Sequence, residues 1–126
     1  MRGLLPVKPN DTTDGALAEA LAATHLARHG LRVIERNFRV RGGEIDLICR
    51  DGTTLVFVEV RLRRNNNFGG AAASITATKR RRLVQAARHY LLRQPDALCR
   101  FDCVLMTALN DAGIEWMKNA FSADDI

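Results

Sequence analysis

The sequence predicts a single α/β domain with a mixed central sheet covered by helices. Three observations carry that expectation. The chain has 126 residues, enough for one domain with its own core. Its composition is ordinary for a globular protein, with 47% hydrophobic and 26% charged residues. Its periodicity changes along the chain, from helical to alternating, back to helical and then to alternating again, which reads as αβββαββ. Residues 1–12 read as an N-terminal extension and 122–126 as a tail.

The elements follow in order. Asp11-Thr12-Thr13-Asp14 is a capping cluster for a first helix over Gly15–His29. Leu17, Ala20, Leu21 and Ala27 sit at helical spacings, and Gly30 stands where a C′ glycine belongs. Leu31–Val40 reads as a first strand, ended by Gly42-Gly43. Ile45–Arg50 and Leu55–Leu62 are the second and third strands, with Asp51-Gly52 as a turn signal between them. Arg63–Gly70 is a polar loop. A second helix runs over Ala77–Arg93, capped by Thr76, with Leu83, Ala87, Tyr90 and Leu91 on its buried stripe. Phe101–Thr107 and Ile114–Met117 are the last strands, separated by the turn Asn110–Gly113.

Several classes drop out. No run approaches the roughly 18 apolar residues of a membrane span, and the opening residues predict no secretory signal. Three cysteines without paired CxxC spacing predict neither a zinc site nor a disulfide framework, so a reduced, cytoplasmic protein is expected. His25 and His29 are four apart on the first helix but lack the Glu of a metalloprotease motif, and read as histidines at a helix C-terminus.

Charge is distributed unevenly. The net charge is +5, yet residues 28–100 hold 16 of the 19 basic residues against six acids. Sixteen of the 19 are arginine, whose planar fork matches phosphate. A polyanion partner, most plausibly nucleic acid, is one reading, and an arginine-rich solvated surface is the other.

The informative segment is Gly43-Glu44-Ile45-Asp46-Leu47-Ile48, followed by Val56-Phe57-Val58-Glu59-Val60-Arg61. An acid within an apolar β run is unusual, because burying an unpartnered carboxylate costs on the order of 3 kcal/mol or more. Loop parity decides whether the acids meet. A four-residue loop, Asp51–Thr54, pairs Arg50 with Leu55 and sets Asp46 opposite Glu59, with Cβ atoms about 5 Å apart. A two-residue loop, Asp51-Gly52, sets Asp46 opposite Phe57 and diagonal to Glu59. Both keep the two acids on one face, whereas a three-residue loop would part them. Facing carboxylates repel unless a cation lies between them, and Mg²⁺ or Mn²⁺ with oxygen ligands fits that need. Arg61 brings a fixed positive charge to the same face. Asp, then Glu-x-basic, points to metal-assisted phosphodiester hydrolysis, and surface acids paired with nearby arginines are the plainer alternative. Glu19 is a third candidate acid, on the helix face that also carries Ala22, Ala23 and Leu26.

These segments, with Glu35-Arg36-Asn37-Phe38-Arg39, Phe68-Gly69, Thr76 with Lys79, Arg100-Phe101-Asp102, Trp116 and Ala120-Phe121, resemble the bacterial YraN-type uncharacterised family over roughly residues 13–121. That family is similar to Holliday-junction resolvases and to the PD-(D/E)xK restriction-endonuclease-like superfamily. The resemblance implies the αβββαβ core, a Mg²⁺ site at Glu19, Asp46 and Glu59, and Arg61 at the position of the superfamily lysine. Arginine there keeps its charge at every physiological pH. It can stabilise charge on a scissile phosphate but cannot act as a base. The expected function is therefore a Mg²⁺-dependent endonuclease-like protein acting on duplex or branched DNA. The alternative is a catalytically impaired nucleic-acid-binding module of the same fold. The resolvase likeness adds a homodimer as the expected assembly, though no stretch of the sequence marks a dimer surface. Arg63, Arg64, Lys79, Arg80, Arg81 and Arg82 are the expected DNA-backbone contacts. With 6% aromatic residues, backbone recognition is favoured over base stacking.

Overall fold

A computed structural model describes residues 13–63 and 75–123. The expected loop from Arg64 onward, residues 1–12 and residues 124–126 lie outside the described residues. Helix α1 spans Asp14–Arg28, β1 Arg32–Val40, β2 Gly43–Asp51, β3 Thr54–Leu62, α2 Ala77–Leu91, β4 Cys99–Met106 and β5 Ile114–Phe121. The five strands form one sheet in sequence order. β1, β2 and β3 make an antiparallel meander, β4 runs parallel to β3, and β5 returns antiparallel to β4. A parallel pair requires a crossover, and α2 lies within it. The architecture is α/β with a mixed sheet between two helices, consistent with the restriction-endonuclease-like αβββαβ core, with β5 added at one edge. Among the described residues, no helix is long and apolar enough to cross a membrane.

The core has two halves. On the α2 side, Ile45, Ile48, Phe57, Leu83, Ala87, Tyr90, Phe101 and Leu105 pack together. On the α1 side, Ala18, Ala22, Ala23 and Leu26 meet Leu47, Cys49, Val56, Val58 and Val104. Leu55–Val58 of β3 is fully buried, as expected of a strand with a helix over each face. α2 sits so low on the sheet that a Cβ on Gly43 would overlap the Arg82 carbonyl and lie 2.9 Å from the Ala86 nitrogen. Gly43 therefore begins β2 and admits the helix, where the sequence suggested only a strand breaker.

Several expectations need correction. The buried stripe of α1 is offset from Leu17, Ala20, Leu21 and Ala27. Leu17 is 53% exposed, and the small residues Ala18, Ala22 and Ala23 face the sheet, where they allow close backbone approach. α2 ends at Leu91, two residues before Arg93, whose guanidinium instead lies over the rings of Tyr90 and Phe38 at 4.9 and 5.3 Å. β5 runs to Phe121, beyond Met117. Asn119 takes a positive φ of 51° at an irregularity that lets the strand continue, and Phe121 stacks on Phe101 with centroids 5.0 Å apart. Burial and the neighbouring His29 push His25 below the usual histidine range, against the charge-favouring pull of the helix terminus.

The α1 side also holds a fully buried carboxylate, Asp102. It accepts the Arg100 Nε at 3.0 Å, the Trp116 Nε1 at 3.0 Å and the Asn119 backbone N–H at 3.0 Å. Arg100 also donates to Asp51 at 2.8 Å, which ties the β2–β3 turn to β4. Asp102→Ala leaves these donors facing an apolar gap. It should lower unfolding free energy by about 3–5 kcal/mol, the range for breaking a buried charge pair, as read by urea denaturation.

Candidate active site

The site begins where the β2–β3 ladder stops. Backbone pairing runs Asp51↔Thr54, Arg50↔Leu55, Cys49↔Val56, Ile48↔Phe57 and Leu47↔Val58. This is the register in which Asp46 faces Glu59. The turn residues are Gly52-Thr53, because Asp51 and Thr54 also pair, so the alternative with Asp51-Gly52 as the loop does not occur. One step further on, a side chain replaces the backbone. The Val60 N–H donates to Asp46 Oδ2 at 2.8 Å. Alternation slips at the same place, because Ile45 and Ile48, three residues apart, belong to the same core half while Leu47 faces the other. On β1, Asn37 falls between the pairs Arg36↔Leu47 and Phe38↔Ile45, opposite Asp46, and has a left-handed φ of 52°. The sheet is thus distorted on both sides of Asp46, and its carboxylate is turned edgeways into the gap.

That gap brings the acids together. The Glu59 carboxyl is hydrogen-bonded to Asp46. Burial and the Asp46 charge push Glu59 up to about 8. Burial raises Asp46 as well, although the Val60 N–H, the Glu59 hydrogen bond and Arg61 pull it down. Glu19, from α1, is raised by burial and then by Asp46, with Asn37 donating a side-chain hydrogen bond to it and Arg39 and Arg36 opposing the rise. All three acids expected from the sequence therefore gather in one region, though not equally tightly. Among the described residues, no three Asp, Glu, His or Cys side chains converge closely enough to enclose an ion by themselves.

Cations surround the acids. Arg61 Nη1 lies 3.8 Å from Glu59 Oε2, in a partly enclosed pair. A cavity of about 260 Å³ opens beside Glu59, lined by Glu44, Glu59, Thr76, Thr78, Lys79 and Arg82. Thr76 caps α2 by accepting the Lys79 N–H at 3.2 Å. The four basic residues that open α2 do not act together. Lys79 and Arg82, one turn apart, face the cavity, and Arg82 comes within 3.9 Å of Glu44. Arg80 turns back to the Ile75 carbonyl at 3.2 Å, and Arg81 reaches Thr78 at 3.4 Å. Arg63 is exposed, and its charge is felt by Lys79. Arg64 lies outside the described residues. Sequence reasoning missed Asn37, Arg36 and Arg39 as neighbours of Glu19. An Asn inside an otherwise β-forming run was the available signal.

The donor set suits a hard divalent ion. Two adjacent carboxyls, with oxygens as the only ligating atoms, match its preference, and Mg²⁺ commonly uses one or two protein carboxylates with water and phosphate completing its shell. Fold and site thus define the protein as an α/β domain with an acid pair at a divided sheet, ringed by arginine and lysine. The chain belongs to uncharacterised protein family UPF0102, which it matches over residues 18–106. It is 66% identical to a UPF0102 protein of Dechloromonas aromatica over 123 residues, covering 96% of this chain and all of that protein. It is 54% identical to one of Nitrosospira multiformis over 111 residues, covering 87% and 93%. The match to a Cupriavidus taiwanensis relative is 54% over 122 residues, covering 93% and 88%.

The raised Glu59 has a stability consequence. Its folded-state pKa of about 8 exceeds the ordinary 4.5, so this contribution is complete below about pH 4.5 and is lost as pH rises toward 8. Glu59→Gln removes the second charge and keeps an amide that can donate to Asp46. At pH 8.5 the variant should be more stable than the parent by roughly 1–3 kcal/mol, since each tenfold change in proton affinity between the folded and unfolded chain is worth about 1.4 kcal/mol. Paired melts at pH 5 and pH 8.5 check this, and equal differences at the two pH values would remove Glu59 as the cause.

Proposed function

We propose that this protein is a divalent-metal-dependent endonuclease-like protein that hydrolyses phosphodiester bonds in duplex or branched DNA. The observation that carries the reading is the Asp46–Glu59 pair, two hydrogen-bonded carboxyls at the edge of a divided sheet, inside a ring of cations. Such a pair is costly to hold in a fold for structure alone, because an apolar pair would pack the same space without desolvating a charge.

Asp46 and Glu59 would hold Mg²⁺ or Mn²⁺, with Glu19 assisting from α1. The ion would supply Lewis acidity toward a phosphoryl oxygen and a more acidic water. Hydrolysis forms one P–O bond from water and breaks one to a sugar oxygen, which takes up a proton as it leaves. The protein's own residues do the rest. Val60 N–H fixes the orientation of Asp46. Arg61, Arg63, Lys79 and Arg82 present positive charge toward the phosphates that flank the cleaved bond. A DNA-binding module without turnover is the second reading, favoured by the 3.8 Å approach of Arg61 to Glu59, which places a permanent cation beside a metal ligand.

The test is nicking of four-way junctions and linear duplexes with Mg²⁺ and with Mn²⁺. The native protein should cut, while Asp46→Asn and Glu59→Gln should cut at least 100-fold more slowly with DNA affinity retained. Tight binding without cutting by the native protein on every substrate would leave the second reading. Binding should also weaken with salt. Arg82→Ala should shallow the slope of log K against log salt by about 0.9, the increment for one phosphate contact. Arg80→Ala should leave the slope unchanged, because that side chain is engaged with Ile75.

A further inference from the structure

The strand position two residues after Glu59 carries Arg61, whose Nε is buried without a hydrogen-bond partner and whose side chain does not line the cavity beside Glu59. Lys79 does line it. It reaches the cavity from α2, a different element, together with Glu59 and the side chains of Thr76 and Thr78. The cap bond from Thr76 fixes the backbone at Lys79, so the stem of the side chain leaves the helix from a defined point.

We infer that Lys79 supplies the ammonium of the cleavage centre, holding a non-bridging phosphoryl oxygen in the cavity against Glu59, in the role that Arg61 is placed too awkwardly to fill. This rests on the nuclease reading above and assigns one more group to the same site. Two considerations support it. The cavity, at about 260 Å³, accommodates a phosphodiester linkage, and its lining offers two hydroxyl donors beside the ammonium. An ammonium is a compact point charge with three donors, whereas the wider guanidinium of Arg61 is held close to its own strand by Glu59. The role is electrostatic. No bond to Lys79 forms or breaks.

The inference separates Lys79 from the arginines that only attract DNA. Loss of a backbone contact weakens binding, whereas loss of this ammonium slows the chemical step. The experiment is single-turnover cleavage at saturating protein with Mg²⁺, beside DNA affinity and Mn²⁺ affinity measured by electron paramagnetic resonance without DNA. Lys79→Met should cut at least 100-fold more slowly at saturating protein, a loss far larger than its loss of DNA affinity. Mn²⁺ alone should bind Lys79→Met three- to tenfold more tightly, because a neighbouring cation has gone. Adding Arg61→Lys to Lys79→Met should recover at least tenfold of the lost rate by returning an ammonium from the strand. A native rate in Lys79→Met, or a double variant as slow as the single one, overturns the inference while the nuclease reading stands. A native protein that neither cuts DNA nor binds Mn²⁺ overturns the nuclease reading, and this inference with it.

Discussion

The hydrogen bond from the Val60 N–H to the Asp46 carboxylate is the constraint on which the rest depends. In a regular ladder a main-chain carbonyl of β2 would take that role. Here a side chain takes it, and three consequences follow together. The buried donor stays satisfied, so dividing the sheet does not leave an orphaned N–H. Asp46 is held in one orientation by a bond to rigid backbone, a more exact support than another side chain would give. The strands part, and the opening reaches both layers, so that Glu19 of α1 and Lys79 of α2 approach the same pair of acids. A hairpin that kept its ladder would seal this opening.

The opening concentrates charge that the fold must compensate. Burial raises both Glu59 and Asp46, and the arginines and lysine around them offset only part of their mutual repulsion. Regions strained in this way lower stability. Asp102 makes a useful contrast. It is at least as deeply buried, but three different donors meet it, and its partners Arg100 and Trp116 belong to the strands it holds together. Two buried acids in one sheet thus have opposite surroundings. Asp102 is met by three donors, whereas Asp46 is met by one backbone donor and lies against a second acid.

The secondary structure was legible because the helical stripe of α2 matches its buried face, Leu83, Val84, Ala86, Ala87 and Tyr90, and because the apolar run Leu55–Val58 of β3 is fully buried. Strand parity alone was enough to bring Asp46 and Glu59 together, since both even-numbered loop lengths keep them on one face. Glu19 was legible as a helix-face acid beside small residues. What could not be read required knowledge of depth. The buried stripe of α1 follows alanines rather than leucines, because contact distance to the sheet outweighs side-chain hydrophobicity there. The run Lys79–Arg82 reads as one basic patch in sequence, yet rotation of about 100° per residue sends Arg80 and Arg81 elsewhere. Asn37 looked like a weak strand residue, and its left-handed backbone is explained only by the neighbour it faces. Gly43 looked like a breaker because its close partner, α2, lies some forty residues away in sequence.

The cysteines carry one more consequence. Cys49 and Cys103 are buried, and burial pushes each thiol up to about 12, so neither is available as a nucleophile in the folded chain. Cys99 alone is exposed, at the first position of β4 beside Leu55, with its thiol raised by partial burial and therefore slow to react. Glu59 pairs with Cys103, four residues further along the same parallel ladder, about 13 Å away at the rise of a strand. The native sequence thus provides a single exposed thiol as an attachment point for a fluorophore, far enough away to leave the acid pair clear.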